Sequence, residues 1–328
     1  MRTLLTVEDV SKLIAGGRPL LVAGTEALLR RLPRGCWLGG TIPYFMTEEG
    51  GQHSEERLLA TTLPPECVSA TVKLYADAEL ASIPRDYPAQ GVSFIVLPAG
   101  SSATARYARE SASWPGFFER PLVGWVAGVS LDRLATERAK VIDGSTGDVR
   151  DDAAGVLHVT LAPGVVAKTE IINLFEAGDG EVITFPTEGF SAQQCTVNGR
   201  PYDFATWLTE RKVDVRWPLV ADFSGANINV AFQSVDVAAG RVAFYAPVFR
   251  GVEYRLARPV TDYVDRFARV LGRRGVTPIF SCNCILNYLY AELEGKKTGD
   301  VVGPITFGEV AWMLLNQTMV YVTLERVG

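Results

Sequence analysis

Apolar residues in this chain cluster into short, near-continuous runs bounded by Gly, Pro, Asp and Asn. PLLVAG (19–24), RLLATTL (57–63), GVSFIVLPAG (91–100) and PLVGWVAGV (121–129) read as buried strands. ATVKLYA (70–76) alternates through Val72, Leu74 and Ala76, the pattern of a half-buried strand. CWLGGTIPYFM (36–46) reads as a strand running into a turn at Gly39-Gly40. DGSTGD within AKVIDGSTGDV (139–149) carries turn chemistry, with GVLHVTLA (155–162) expected as the returning partner strand. Helical periodicity appears at fewer places. Thr6 caps Val7–Ala15, with Glu8 and Asp9 in its first turn, and Thr25 precedes EALLRRL. Ser101 or Ser102 caps the helix of SSATARYARES, and VTDYVDRFARVLGRRG places Tyr263, Phe267, Val270 and Leu271 on one stripe.

The second half opens with CTVNGRPYDFATWLTER, where Asn198-Gly199 signals a hairpin and YDFATWLTER a helix. Residues 227–248 hold two strands around an Ala-Ala-Gly turn. TPIF (277–280) is a strand expected to pass directly into a helix starting at SCNCILNYLY. ITFGEVAWMLLNQ (305–317) predicts a further helix, and TMVYVTLE (318–325) alternates as a last strand. Strands outnumber helices, and hairpins mix with strand–helix–strand units. This predicts an α+β fold of two domains, with mixed β-sheets flanked by helices. The Gly- and Glu-rich stretch EAGDGEVITFPTEGFSAQQ marks the division, giving domains 1–188 and 189–328.

A length of 328 residues fits two domains, and 48% hydrophobic with 21% charged residues excludes wholesale disorder. The net charge of −5 and the lack of a basic run argue against a nucleic-acid partner. The N-terminal stretch lacks the apolar core and cleavage site of a signal peptide, and no apolar window is long enough to span a membrane. Five irregularly spaced cysteines, Cys36, Cys67, Cys195, Cys282 and Cys284, then read as reduced thiols of a cytoplasmic protein. Oligomeric state is left open by the sequence.

FSCNCILNYLY (280–290) carries the most suggestive chemistry. With Ser281 as cap, Cys282, Asn283 and Cys284 would occupy a helical first turn, where free N–H groups attract anions and lower thiol pKa values. The competing reading is packing, because Cys282 shares a stripe with Ile285, Leu286 and Leu289. A cysteine nucleophile, Cys282 or Cys284, would need a base. His53 lies in a polar turn, where it reads as solvated, and His158 in a strand, where it reads as a satisfied residue. One C-x-C without a second pair argues against a metal, and no fingerprint implies a cofactor. GPITFGEVAWMLLNQT (303–318) sets Gly308 before Glu309 at an expected helix start, with Asn316, Gln317 and Thr318 at the far end. Glu309 there either caps a helix or meets the amine of a small ligand. Thr41 and Tyr44 of GGTIPY join the candidate set, with the strand end able to offer N–H groups to a ligand.

The chain resembles the FIST sensory proteins, with their N-terminal and C-terminal parts. The likeness rests on GGTIPY, VIDGSTGDVRDDAAGVLHVTL, CTVNGRPYDFATWL, and above all FSCN followed by GPITFGEVAWMLLNQT. It implies a domain that binds an amino-acid-like ligand and signals through a separate protein, with Ser281, Cys282, Asn283, Gly308, Glu309, Asn316 and Thr318 as contacts. The family commonly continues F-S-C-N with Gly-Arg, where this chain has Cys284-Ile285. The expectation is a stand-alone module binding a small amphoteric molecule between the two domains. A cysteine-dependent enzyme is one alternative. The other is an interaction scaffold exposing Trp114, Phe117 and Phe118.

Overall fold

Continuous β-branched and aromatic runs become strands throughout. The computed structural model describes residues 4–223, 225–272, 277–299 and 301–327, with backbone only at 271 and 272. In chain order the early strands are β1 Leu20–Gly24, β2 Trp37–Thr41, β3 Tyr44–Thr47, β4 Gly50–His53, β5 Leu59–Thr62, β6 Cys67–Ala76, β7 Gly91–Pro98 and β8 Leu122–Ala127. There follow β9 Val141–Asp143, β10 Asp148–Arg150, β11 Ala153–Leu161, β12 Val165–Ile172, β13 Ile183–Thr184, β14 Gly189–Ala192, β15 Gln194–Val197 and β16 Arg200–Asp203. The remainder are β17 Leu219–Phe223, β18 Ala226–Val230, β19 Phe232–Asp236, β20 Arg241–Val248, β21 Arg255–Leu256, β22 Phe280–Cys284, β23 Gly303–Thr306, β24 Glu309–Ala311, β25 Met313–Leu315 and β26 Met319–Arg326. The helices are α1 Val7–Ala15, α2 Glu26–Leu29, α3 Ser102–Glu110, α4 Phe204–Glu210, α5 Tyr263–Gly272 and α6 Ile285–Tyr290. The α+β expectation is met.

The chain forms two compact units. The first comprises Met1–Ile172, Val264–Leu314 and Met319–Gly328, the second Asn173–Tyr263 and Leu315–Thr318. A single division after residue 188 does not describe this path. The reason lies in strand pairing: β26 lies between β12 and β22, and β23 pairs with β3, so late strands complete an early sheet.

In the first unit a central sheet has the order β25-β24-β8-β7-β11-β6. Phe94 and Val96 of β7 and Trp125 of β8 share one of its faces, since Val96 and Trp125 are in register. A sheet of order β10-β9-β2-β1-β5 packs on that face. A Cβ on Gly40 would lie 2.6 Å from Val96 Cγ1, and one on Gly155 2.4 Å from Val141 Cγ1, so glycine sets the approach of the two layers. Gly39-Gly40 is therefore no turn but the middle of β2. GVLHVTLA likewise pairs with β6 and β7 rather than with the 139–149 hairpin, which closes on itself through β9 and β10. The third sheet, β12-β26-β22-β23-β3-β4, meets the same face through Phe280, whose ring lies 5.4 Å from Phe94 and 5.7 Å from Trp125.

α1 begins with a reciprocal cap. Asp9 N–H donates to Thr6 Oγ1 at 3.1 Å, and Thr6 N–H donates to Asp9 Oδ2 at 3.2 Å. Val10 and Ile14 then dock on Leu20, Val22 and Trp37. α2 is a single turn, shorter than EALLRRL predicts. Among the described residues no helix is long and apolar enough to cross a membrane.

The second unit holds three three-stranded sheets around a core of Phe185, Phe204, Trp207, Phe232, Phe244 and Tyr254. The expected hairpin is present: Asn198 and Gly199 both have positive φ, 48° and 79°, as a two-residue primed turn requires. α4 follows, capped by Asp203 Oδ1, which accepts from Thr206 N–H at 2.8 Å.

One expected helix starts later than expected and another is absent, and both corrections bear on function. FSCNC is strand throughout, with all five residues buried, and ITFGEVAWMLLNQ is divided among β23, β24 and β25. A continuous apolar run fits a strand buried on both faces as well as it fits a helix, so periodicity could not separate them.

Candidate functional site

The strand FSCNC sends alternate side chains to opposite faces. Phe280 faces the central sheet, and Cys282 follows it, its thiol donating to Gly124 O at 3.2 Å. Ser281 and Asn283 face the other way, and Ser281 Oγ donates to Val302 O at 2.8 Å. Neighbouring β23 comes close enough that a Cβ on Gly303 would sit 2.0 Å from Ser281 O. The helix starts later than expected. Cys284 is the N-cap, it makes no side-chain capping bond, and α6 is six residues long. The first-turn N–H groups belong to residues 285–287, so the expected amide cradle at 282–284 is not formed.

Both thiols are buried, at 1% exposure each. Burial pushes the Cys282 thiol well above its ordinary value, and the Glu309 carboxylate and Cys284 push it the same way. A nucleophile needs the thiolate, and this environment holds the thiol. Glu309 does meet FSCNC, but inside the packed sheets: it pairs with Trp125 in β24, is fully buried, and starts no helix. Gly308 has φ 155°, a conformation L side chains rarely adopt, and its carbonyl accepts from Val126 N–H at 2.8 Å and Thr306 Oγ1 at 3.0 Å. Thr41 is committed to the backbone, its hydroxyl oxygen accepting from Lys140 N–H at 2.8 Å.

The opposite face of β22 differs. Asn283 Oδ1 accepts from Cys284 N–H at 2.8 Å and from Asn287 Nδ2 at 2.9 Å. Two donors fix the amide orientation, which turns Nδ2 the other way. Among the described residues, Asn283 Nδ2 has no protein acceptor, and neither Tyr288 Oη nor Thr298 Oγ1 has a protein partner. All three residues are buried, Asn283 at 2% exposure and Tyr288 at 5%. Burial raises the Tyr288 hydroxyl to about 12, helped by Glu294 and Tyr44. The Tyr288 ring lies 5.7 Å from that of Tyr44, which stacks on His53 at 4.7 Å. Tyr44 Oη accepts from Leu131 N–H at 3.0 Å, and Ser130 Oγ lies 3.4 Å from His53 Nε2. Gly51 leaves room for this packing, since a Cβ there would lie 2.8 Å from Tyr288 Cε2. His53, with 38% of its side chain exposed, brings the cluster to solvent.

The structure thus links the expected Asn283 to Asn287, and the expected Tyr44 to Tyr288, next along α6, and to His53, which the sequence places only in a solvated turn. The signal for His53 was present: a two-residue turn at Glu48-Glu49 puts Tyr44 opposite His53 by counting along YFMTEEGGQH. Asn316 and Thr318 belong to the second unit, where Asn316 O accepts from Asn229 Nδ2 at 3.1 Å. His158 is satisfied at both ring nitrogens. Trp114 and Phe117 are buried, which leaves Phe118 alone of that trio at the surface. Among the described residues no three His, Cys, Asp or Glu side chains group to hold a metal ion.

A search among proteins of curated function finds no match. The profile of a family of unknown function, DUF6976, matches residues 5–325, nearly the whole chain, and the chain belongs to that family.

Proposed function

We propose that the first unit binds a small amphoteric molecule, amino-acid-like in character, at the junction of β22 and α6, and performs no chemistry on it. The observation that carries this reading is the pair of buried donors, Asn283 Nδ2 and Tyr288 Oη, that meet no protein partner among the described residues. A buried polar group left unpaired costs about 1–3 kcal/mol, so two at one strand–helix junction favour a ligand that completes them. Both can donate, which suits a carboxylate or carbonyl oxygen. Glu294, whose charge acts on Tyr288, suits an amine. The stacked Tyr44 and His53 rings provide an apolar wall, a common lining for small-molecule sites. The resemblance to FIST sensory proteins points to the same ligand class, and signalling would then pass to a separate protein. The protonated, buried state of Cys282 weighs against a thiol-based enzyme.

Thermal unfolding with a panel of free amino acids tests this. A binding amino acid at 100 times its Kd raises stability by about 2.7 kcal/mol. Asn283→Leu abolishes that rise, and Tyr288→Phe weakens binding up to about tenfold through one lost hydrogen bond. Absence of any rise across the panel, or a rise unaffected by both substitutions, refutes the proposal.

A further inference from the structure

A second group of side-chain amides lies in the second unit, with Asn229, Asn316 and Gln317 buried and Asn173 half-buried. Asn173 and Asn229 form a reciprocal pair: Asn173 Nδ2 donates to Asn229 Oδ1 at 2.9 Å, and Asn229 Nδ2 donates back to Asn173 Oδ1 at 3.0 Å. The outer hydrogens are also used. Asn173 Nδ2 donates to Asn227 O at 3.0 Å and Asn229 Nδ2 to Asn316 O at 3.1 Å, while Asn173 Oδ1 accepts from Phe175 N–H at 2.9 Å. The pair is a closed, rigid frame that grips the turn 315–318 by its backbone.

The two side chains at the tip of that turn are only half used. Asn316 Nδ2 donates to Leu315 O at 3.0 Å, and Gln317 Nε2 donates to Arg216 O at 2.9 Å. Each amide is oriented by a carbonyl, because a flip would set oxygen against oxygen. The orientation leaves Asn316 Oδ1 and Gln317 Oε1 as buried acceptors, and neither has a protein partner among the described residues. Asn316 is fully buried and Gln317 is 2% exposed. Gln317 also holds φ 51°, a left-handed backbone unfavourable for a non-glycine residue. Held conformations of this kind gather at binding sites. A rigid frame, a strained residue and two consecutive buried acceptors thus coincide.

We propose that the Asn316-Gln317 turn binds a compact monocation through its amide oxygens. Two unpartnered acceptors favour a cation over an anion. Among the described residues the hydrogen-bond partners of these four amides are other amides and backbone groups, with no carboxylate. A divalent ion is poorly matched to such a set, because carboxylates normally meet its dehydration cost. Neutral carbonyl dipoles are the chemistry that takes up potassium-sized ions, and a primary ammonium group presents the same charge with N–H donors. Arg216 contributes its carbonyl to Gln317 Nε2, and its guanidinium is engaged by Asp214 at 2.6 Å.

The test uses the whole chain in choline chloride, with potassium chloride or methylammonium chloride substituted at constant ionic strength. Potassium, methylammonium or both should raise the melting temperature saturably, and Gln317→Met should remove the rise. Potassium alone identifies an alkali ion, methylammonium alone an organic amine. No rise with either cation, or the same rise in Gln317→Met, overturns the proposal. Should Gln317→Met fail to fold, rubidium-soaked crystals of the unsubstituted protein decide. An anomalous peak in contact with Asn316 Oδ1 and Gln317 Oε1 supports the site, and its absence at saturating rubidium overturns it.

Discussion

Two polar clusters of the first unit both run from the core to the surface, yet one is closed and the other open. On the outer face of the central sheet, Ser93, His158, Tyr75 and Asp86 form a chain. Tyr75 Oη donates to Asp86 Oδ2 at 2.7 Å, so it must accept from His158 Nε2–H at 2.8 Å. His158 Nδ1 is then the acceptor for Ser93 Oγ–H, also at 2.8 Å. Lys73 closes the chain at the surface, 2.6 Å from Asp86. Every member is spent on another. At the β22–α6 junction, by contrast, Asn283 Nδ2 and Tyr288 Oη remain without a protein partner among the described residues. A fully satisfied polar network fixes structure, whereas a half-satisfied one is costly unless something else completes it.

The contrast can be broken hardest at His158. His158→Leu strands Ser93 Oγ and the acceptor side of Tyr75 Oη, and should cost about 2–5 kcal/mol in urea unfolding. A loss under about 1 kcal/mol would mean the chain is not closed as described.

Next in size is the pH dependence. Burial lowers His158 from 6.5 to about 4, opposed by Asp86. Below pH 6.5 the unfolded chain takes up this proton while the folded chain does not until about pH 4. Stability that is complete above pH 6.5 therefore drains away as pH falls toward 4, by about 3 kcal/mol at most. Asp86, held below the usual carboxylate range by Lys73 and Tyr75, adds loss in the same direction at lower pH. His158→Gln should flatten the profile between pH 6.5 and 4, and an unchanged slope there would assign the acid sensitivity to other groups.

Thiol labelling sharpens the reading of the open cluster. Among the five cysteines only Cys36 is partly exposed. Cys36 should therefore label first in the native protein, and Cys282 and Cys284 only as fast as the fold opens. Rapid labelling of either at neutral pH would restore the nucleophile reading.

Much of the fold could be read from the sequence. The Thr6 cap, the Asn198-Gly199 hairpin and the strands at 91–98 and 122–127 stand where local pattern puts them, because local chemistry decides them. The misreadings share one cause. Gly39-Gly40, FSCNC and ITFGEVAWMLLNQ are runs whose conformation is set by neighbours distant in sequence. Gly40 is small because of Val96 and Trp125, and Gly303 because of Ser281. The candidate site was half visible for the same reason. Asn283 and Tyr44 stood out as residue types, but the link from Tyr44 to Tyr288 spans more than two hundred residues and follows from no local rule.

Smallest in size, and most direct, is a pair of isosteric changes made without ligand. Tyr75→Phe removes a hydroxyl bonded to both His158 and Asp86, while Tyr288→Phe removes one with no protein partner among the described residues. Urea unfolding of the two variants should show Tyr75→Phe destabilised by about 1–3 kcal/mol and Tyr288→Phe unchanged or stabilised by up to about 1 kcal/mol. Equal losses in the two would show that the Tyr288 hydroxyl is already satisfied, and the β22–α6 junction would then be part of the core rather than a place for a ligand.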